Sequence, residues 1–165
     1  MNTHGQTSKE YLNYLQLIHG AMLIGQVLFA GVAIFLTSEG GLGQSEGDLN
    51  DIFKLLAPVL VLGGIAGSIF LPKTLLASAK ESSDLRGKLQ TYRSTSIIKF
   101  AVLEAPSLVS LVAFLLTGNY FFLGLAAIIV AVFFMNRPTT STIINELELN
   151  QDEARLVENE AAIIL

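Results

Sequence analysis

Apolar residues come in long blocks along this chain, and charged residues are confined to the gaps between them. From Tyr11 to Ser38 there is no acidic or basic residue apart from His19. Leu55 to Pro72 is a second uncharged run, led in by Asp51-Ile-Phe-Lys54. Ser94 to Leu116 is a third, carrying Lys99 near its start and Glu104 inside, and Tyr120 to Asn136 is a fourth, closed by Arg137-Pro138. A helix needs about 20 residues to cross a hydrocarbon core about 30 Å thick. The pattern therefore predicts an all-α integral membrane protein, a four-helix bundle with spans at 11–37, 52–73, 94–117 and 119–136. Soluble helices keep a polar face, and these runs have none. Breaks are expected at Glu39-Gly-Gly-Leu-Gly43, over 80–92 and at Thr117-Gly-Asn119, the last suited to a tight helical hairpin.

Composition agrees with this reading. The chain is 52% hydrophobic and 15% charged, with a mean hydropathy of +0.57, whereas soluble domains average about 25% charged residues. Residues 1–10 read as a polar lead; they lack the basic start, short apolar core and cleavage site of a signal peptide. Six of the ten Lys/Arg lie in or beside the connector between the second and third runs: Lys73, Lys80, Arg86, Lys88, Arg93 and Lys99. The connector between the first two has none, and holds Glu39, Glu46 and Asp48. The positive-inside rule then puts the basic connector and both termini in the cytoplasm of a bacterial inner membrane.

After residue 137 the chain becomes acidic, so its organisation reads as a lead (1–10), a membrane domain (11–137) and a cytoplasmic tail (138–165). Asn150-x-x-Glu153 fits a capping box and predicts a short amphipathic helix in that tail. Two fates are open to it: docking on the basic connector or recruiting a partner, and a solvated, frayed end.

Aligned at an offset of eighty residues, Val32-Ala33-Ile34-Phe35-Leu36-Thr37 falls on Val112-Ala113-Phe114-Leu115-Leu116-Thr117, and Ala21 falls on Ala101. Two tandem hairpins would produce such a match. Glu104 corresponds to Ile24, so the acid stands in one repeat only. Among the thirty-seven residues between Lys99 and Arg137 it is the one side chain charged at neutral pH in water. A carboxylate at membrane depth costs about 2.5–3.5 kcal/mol on insertion scales, so its default reading is a functional or partner-bound group. At 1.5 Å per residue from Ile97 it lies about 10 Å in from its helix end. Gln26 is the first candidate partner and His19 the second, if the first and third helices touch. Pro106 should leave the Val102 carbonyl without its helical amide, opening a path for water beside Glu104.

Small residues recur at four-residue spacing, most densely at Gly63-Gly64-x-x-Gly67, which marks the second helix as central or at a subunit interface. Catalytic chemistry has little foothold. His4 and His19 make no metal site, Ser107 and Ser110 lack a histidine base, and Gly40-Gly41-Leu-Gly43 opens no phosphate-binding helix. The absence of cysteine excludes disulfides and thiol catalysis, and a net charge of −4 offers nucleic acid no footprint. No cofactor or metal is expected, and the expected partners are the lipid bilayer and either a second copy or another membrane subunit.

The stretch Ile97-Ile-Lys-Phe-Ala-Val-Leu-Glu-Ala-Pro-Ser107, continued to Thr117-Gly-Asn119, with Asn136-Arg-Pro-Thr139 and the Leu-x-Leu-x-x-x-Glu of the tail, resembles a family of uncharacterised small bacterial four-helix membrane proteins. That resemblance covers most of the chain and implies no function. Length, four helices, glycine-rich packing and one buried glutamate are also similar to the duplicated-hairpin proteolipid of V-type ATPase rotors. This second resemblance implies ion carriage by Glu104. The rotor carboxylate, however, sits in the second helix of a hairpin, and Glu104 falls in the first. The favoured expectation is a non-enzymatic structural or accessory membrane subunit; the alternative is a proteolipid-like transport element for a proton or cation.

Overall fold

Three of the four uncharged runs become helices longer than a bilayer requires. The structure, a computed structural model, describes residues 5–40, 48–82 and 84–165. His4, Glu46 and the glycines at 41 and 43 lie outside them. In order come α1 (Ser8–Ser38), α2 (Asp48–Leu75), α3 (Ala77–Lys80), α4 (Leu85–Thr117), α5 (Tyr120–Met135), α6 (Thr140–Leu147) and α7 (Gln151–Glu158). The described residues form no strand, and Thr7 and Ile163 make an isolated antiparallel bridge.

Three stretches, Ser8–Ser38, Asp48–Lys80 and Leu85–Thr117, are long and apolar enough to cross a membrane. A fourth span exists only when α5 is counted with α6 as one bent span. The 16 residues of α5 extend about 24 Å, short of a core about 30 Å thick. The third helix also begins earlier than its apolar run does, at Leu85 rather than 94. Asp84 explains the early start, because its carboxylate accepts the backbone amides of Arg86 and Gly87, each at 3.1 Å.

The chain forms two compact units. The first comprises Met1–Gly20, Ile69–Lys99 and Arg137–Leu165; the second comprises Ala21–Ser68 and Phe100–Asn136.

Charge pairing organises the first unit. Tyr11, Leu15, Leu89, Tyr92, Ile143 and Leu147 form its apolar centre, and the Tyr11 hydroxyl donates to the Leu89 carbonyl at 2.7 Å. The Arg93 guanidinium lies over the rings of Tyr11 and Tyr14, 5.4 and 4.8 Å from their centroids, and donates to Gln6 Oε1. Of the two fates open to the acidic segment, docking is the one found. Glu146 pairs with Lys99 at 3.3 Å, Glu148 with Lys80 at 2.6 Å, Glu153 with Lys88 at 2.8 Å and Glu160 with Lys9 at 2.9 Å. The Asn150 capping box is fully formed. Its Glu153 thus accepts from both the Asn150 amide and the buried Lys88 ammonium. The two ends of the chain are tied directly, Gln6 N–H donating to the Leu165 carbonyl at 2.8 Å and Ser8 N–H to that of Ala162 at 2.9 Å.

The second unit has an apolar centre and a largely apolar surface. Ala33, Ala57, Ala113, Phe114 and Phe122 make its centre. Its α4–α5 hairpin turns at Gly118, whose φ of 66° suits glycine. There Asn119 caps α5 by accepting from Phe121 N–H at 3.0 Å, and its amide donates to Asn50 Oδ1 at 2.9 Å. Large side chains stand bare on the outside, Leu55 75% and Leu62 68% exposed. In water that surface would be strongly unfavourable; against lipid tails it costs nothing.

Candidate functional site

Glycine and proline position the polar groups of the second unit. Pro106 lies inside α4 without ending it. With no amide hydrogen it cannot donate to the Val102 carbonyl, and the structure sets Gly64 of α2 against that place. A methyl group added to Gly64 would lie 2.5 Å from Pro106 Cγ and 3.0 Å from the Val102 carbonyl oxygen. The carbonyl that proline frees therefore faces the Gly64 position on the α2 side. This corrects the expectation that the opening would lie beside Glu104.

Glu104 is two residues from Pro106, about 160° around the helix, and so points away from α2. It is half-buried, and its carboxylate makes no hydrogen bond or ion pair among the described residues. Leu111, seven residues further on, lies within about 20° of Glu104 on the same face. Leu111 lines an apolar groove of about 170 Å³ with Val27 and Ala30 of α1 and Leu123 and Ala126 of α5. Glu104 thus sits on the side of α4 that faces α1 and α5.

No family model, curated protein or solved structure matches this chain.

The two candidate partners of Glu104 fall differently. Gln26 is fully buried in the second unit, but its amide donates to the Met22 carbonyl at 3.5 Å and its Oε1 has no partner among the described residues. It is not hydrogen-bonded to Glu104. His19 is buried in the first unit. Ser107 lacks the histidine base of a nucleophile, and its Oγ is a second fully buried polar atom of this unit without a partner among the described residues. It stands one turn from Glu104, a signal readable from the i, i+3 spacing. Each such orphan costs about 1–3 kcal/mol if left dry.

The glycine cluster also divides. Gly64 packs against α4, whereas nothing lies within 4 Å of the position a Gly63 side chain would take. Gly67 is half-buried. Gly63, Val59, Ala105 and Pro106 line an open groove of about 500 Å³ on this side of the unit. Among the described residues no cluster of three His, Asp or Glu side chains has the arrangement of a metal site.

Proposed function

We propose that this chain is a non-enzymatic integral protein of the bacterial inner membrane, a structural or accessory subunit that uses Glu104 to hold a neighbouring membrane helix. Two tandem hairpins would form its four-helix bundle, with both termini and the basic connector in the cytoplasm. The observation that carries this reading is the Glu104 carboxyl, half-buried among apolar side chains and without a partner among the described residues. At that depth a carboxylate favours a donor from another helix over remaining alone. That helix belongs to a second copy or to a different membrane protein.

The experiment is the native mass of the full chain in mild detergent, for wild type, Glu104→Gln and Glu104→Leu. The wild type should run as a complex, Glu104→Gln should keep it through its amide, and Glu104→Leu should release the monomer with its helix content unchanged. A monomeric wild type with nothing attached would sink the proposal.

A second reading is supported by the orphaned Gln26 Oε1 and Ser107 Oγ, polar atoms that water could use inside the unit. On it, Glu104 carries a proton or cation. Glu104→Gln would then abolish flux in proteoliposomes while leaving the complex intact, and unchanged flux would eliminate this role.

A further inference from the structure

Docking of the acidic segment occupies most of the lysines of the first unit and leaves a small set of cations without counterions. Lys9, Lys80, Lys88 and Lys99 each face a glutamate, and Arg93 is held by Gln6 and two tyrosine rings. Lys73, Arg86 and Arg137 are exposed, and no carboxylate of the described residues pairs with them.

Two of these three stand next to bare apolar side chains. Lys73 lies one turn beyond Ile69 and Phe70, 51% and 65% exposed, with its ammonium 5.8 Å from the centre of the Phe70 ring. Arg137 follows Phe134 and Met135, which are 64% and 82% exposed. Phe134 and Met135 belong to the second unit, but Leu17, Ile97 and Ile98 of the first are bare as well, so the first unit carries its own lipid-seeking residues where α1, α2 and α4 leave it. A long cationic side chain that follows such residues buries its stem in acyl chains and lifts its charge to the phosphate level. Arg86 has no such neighbours. It lies in the first turn of α4, eleven residues before Ile97.

We infer that Lys73 and Arg137 bind the phosphate groups of anionic phospholipid in the leaflet that meets the first unit. Charge complementarity and the adjoining apolar residues of the first unit together select a lipid, because a free phosphate ion would gain nothing from Phe70 or Ile69. The inference rests on the chain being membrane-embedded and is independent of the role of Glu104.

The test is native mass spectrometry of the full chain, titrated in mild detergent with phosphatidylglycerol or phosphatidylcholine. The wild type should retain phosphatidylglycerol in preference. A cation near a charged bilayer contributes a factor of about five, so Lys73→Gln or Arg137→Gln should weaken that retention about fivefold and the double variant about thirtyfold. Arg86→Gln should match the wild type, and the charge-preserving pair Lys73→Arg with Arg137→Lys should keep the preference, which guards against a folding defect. Raising the salt should erode it. Equal retention of both lipids by the wild type, or a loss in Arg86→Gln as large as in the double variant, would overturn the inference. Wild-type chain that holds neither lipid would overturn the membrane reading with it.

Discussion

A side chain at position 64 would meet Pro106 Cγ at 2.5 Å, and a proline inside a helix cannot move aside as a flexible side chain can. Gly64→Ala should therefore destabilise the second unit by about 1–3 kcal/mol, the usual range for overpacking. Gly63→Ala, with open space at its Cβ, should stay within about 0.5 kcal/mol of wild type, as surface substitutions do. Unfolding in a graded mixture of mild detergent and dodecyl sulfate reads the difference. Equal effects at the two positions would contradict the packing described. The glycine cluster itself is plain in the sequence, but adjacent helix positions are 100° apart. Which of the two glycines meets α4 depends on the rotation of α2, and no local pattern encodes that rotation.

At the scale of elements, α7 shows how a local signal and a distant one combine. Asn150-x-x-Glu153 is legible as a helix start, and the structure forms the complete box. Its position is set by Lys88, sixty-five residues away. Burial opposes ionisation of Glu153, yet the hydrogen bond from Lys88, the Asn150 amide and the Lys88 charge together outweigh it and hold the carboxyl below its ordinary value of 4.5. With the folded value depressed, the stabilisation is present in full above the unfolded value and disappears as pH falls through the folded one. Hydrogen exchange over residues 140–165 should therefore be slow and level from pH 7 down to about 5, after correction for intrinsic rates, and should accelerate at pH values below 4.5. Lys88→Met leaves the Glu153 carboxylate buried and unpaired, and should weaken docking by about 3–5 kcal/mol. Adding Glu153→Leu to that variant should recover most of the loss. A double variant no better docked than Lys88→Met would show that the pair is not the latch.

For the whole molecule, charge is divided unevenly between the units. The first holds nine cations and nine carboxylates, whereas the second holds Lys54 against Glu39, Glu46, Asp48, Asp51 and Glu104. Translocation disfavours basic segments, so the 80–92 connector should stay in the cytoplasm and Glu39 should reach the opposite side. The chain contains no cysteine, so single introduced thiols report topology directly. An impermeant maleimide added to intact inner-membrane vesicles of known sidedness should label Glu39→Cys and Glu81→Cys from opposite faces. Labelling of both from one face would contradict the orientation.

Helix identity, approximate span length and charge asymmetry were all determined by the sequence alone, because each depends on neighbours within about twenty residues. The apolar runs specify helices too long and too bare for water, and Thr117-Gly-Asn119 specifies the hairpin between α4 and α5. Only the tertiary structure decided that the acidic segment closes on the basic connector. The same holds for Gly64 rather than Gly63 meeting Pro106, and for Glu104 turning away from α2 while Gln26 bonds within its own helix. These outcomes rest on helix rotation and on pairs up to 159 residues apart, Gln6 with Leu165, where the energy of a contact depends on what packing brings opposite it.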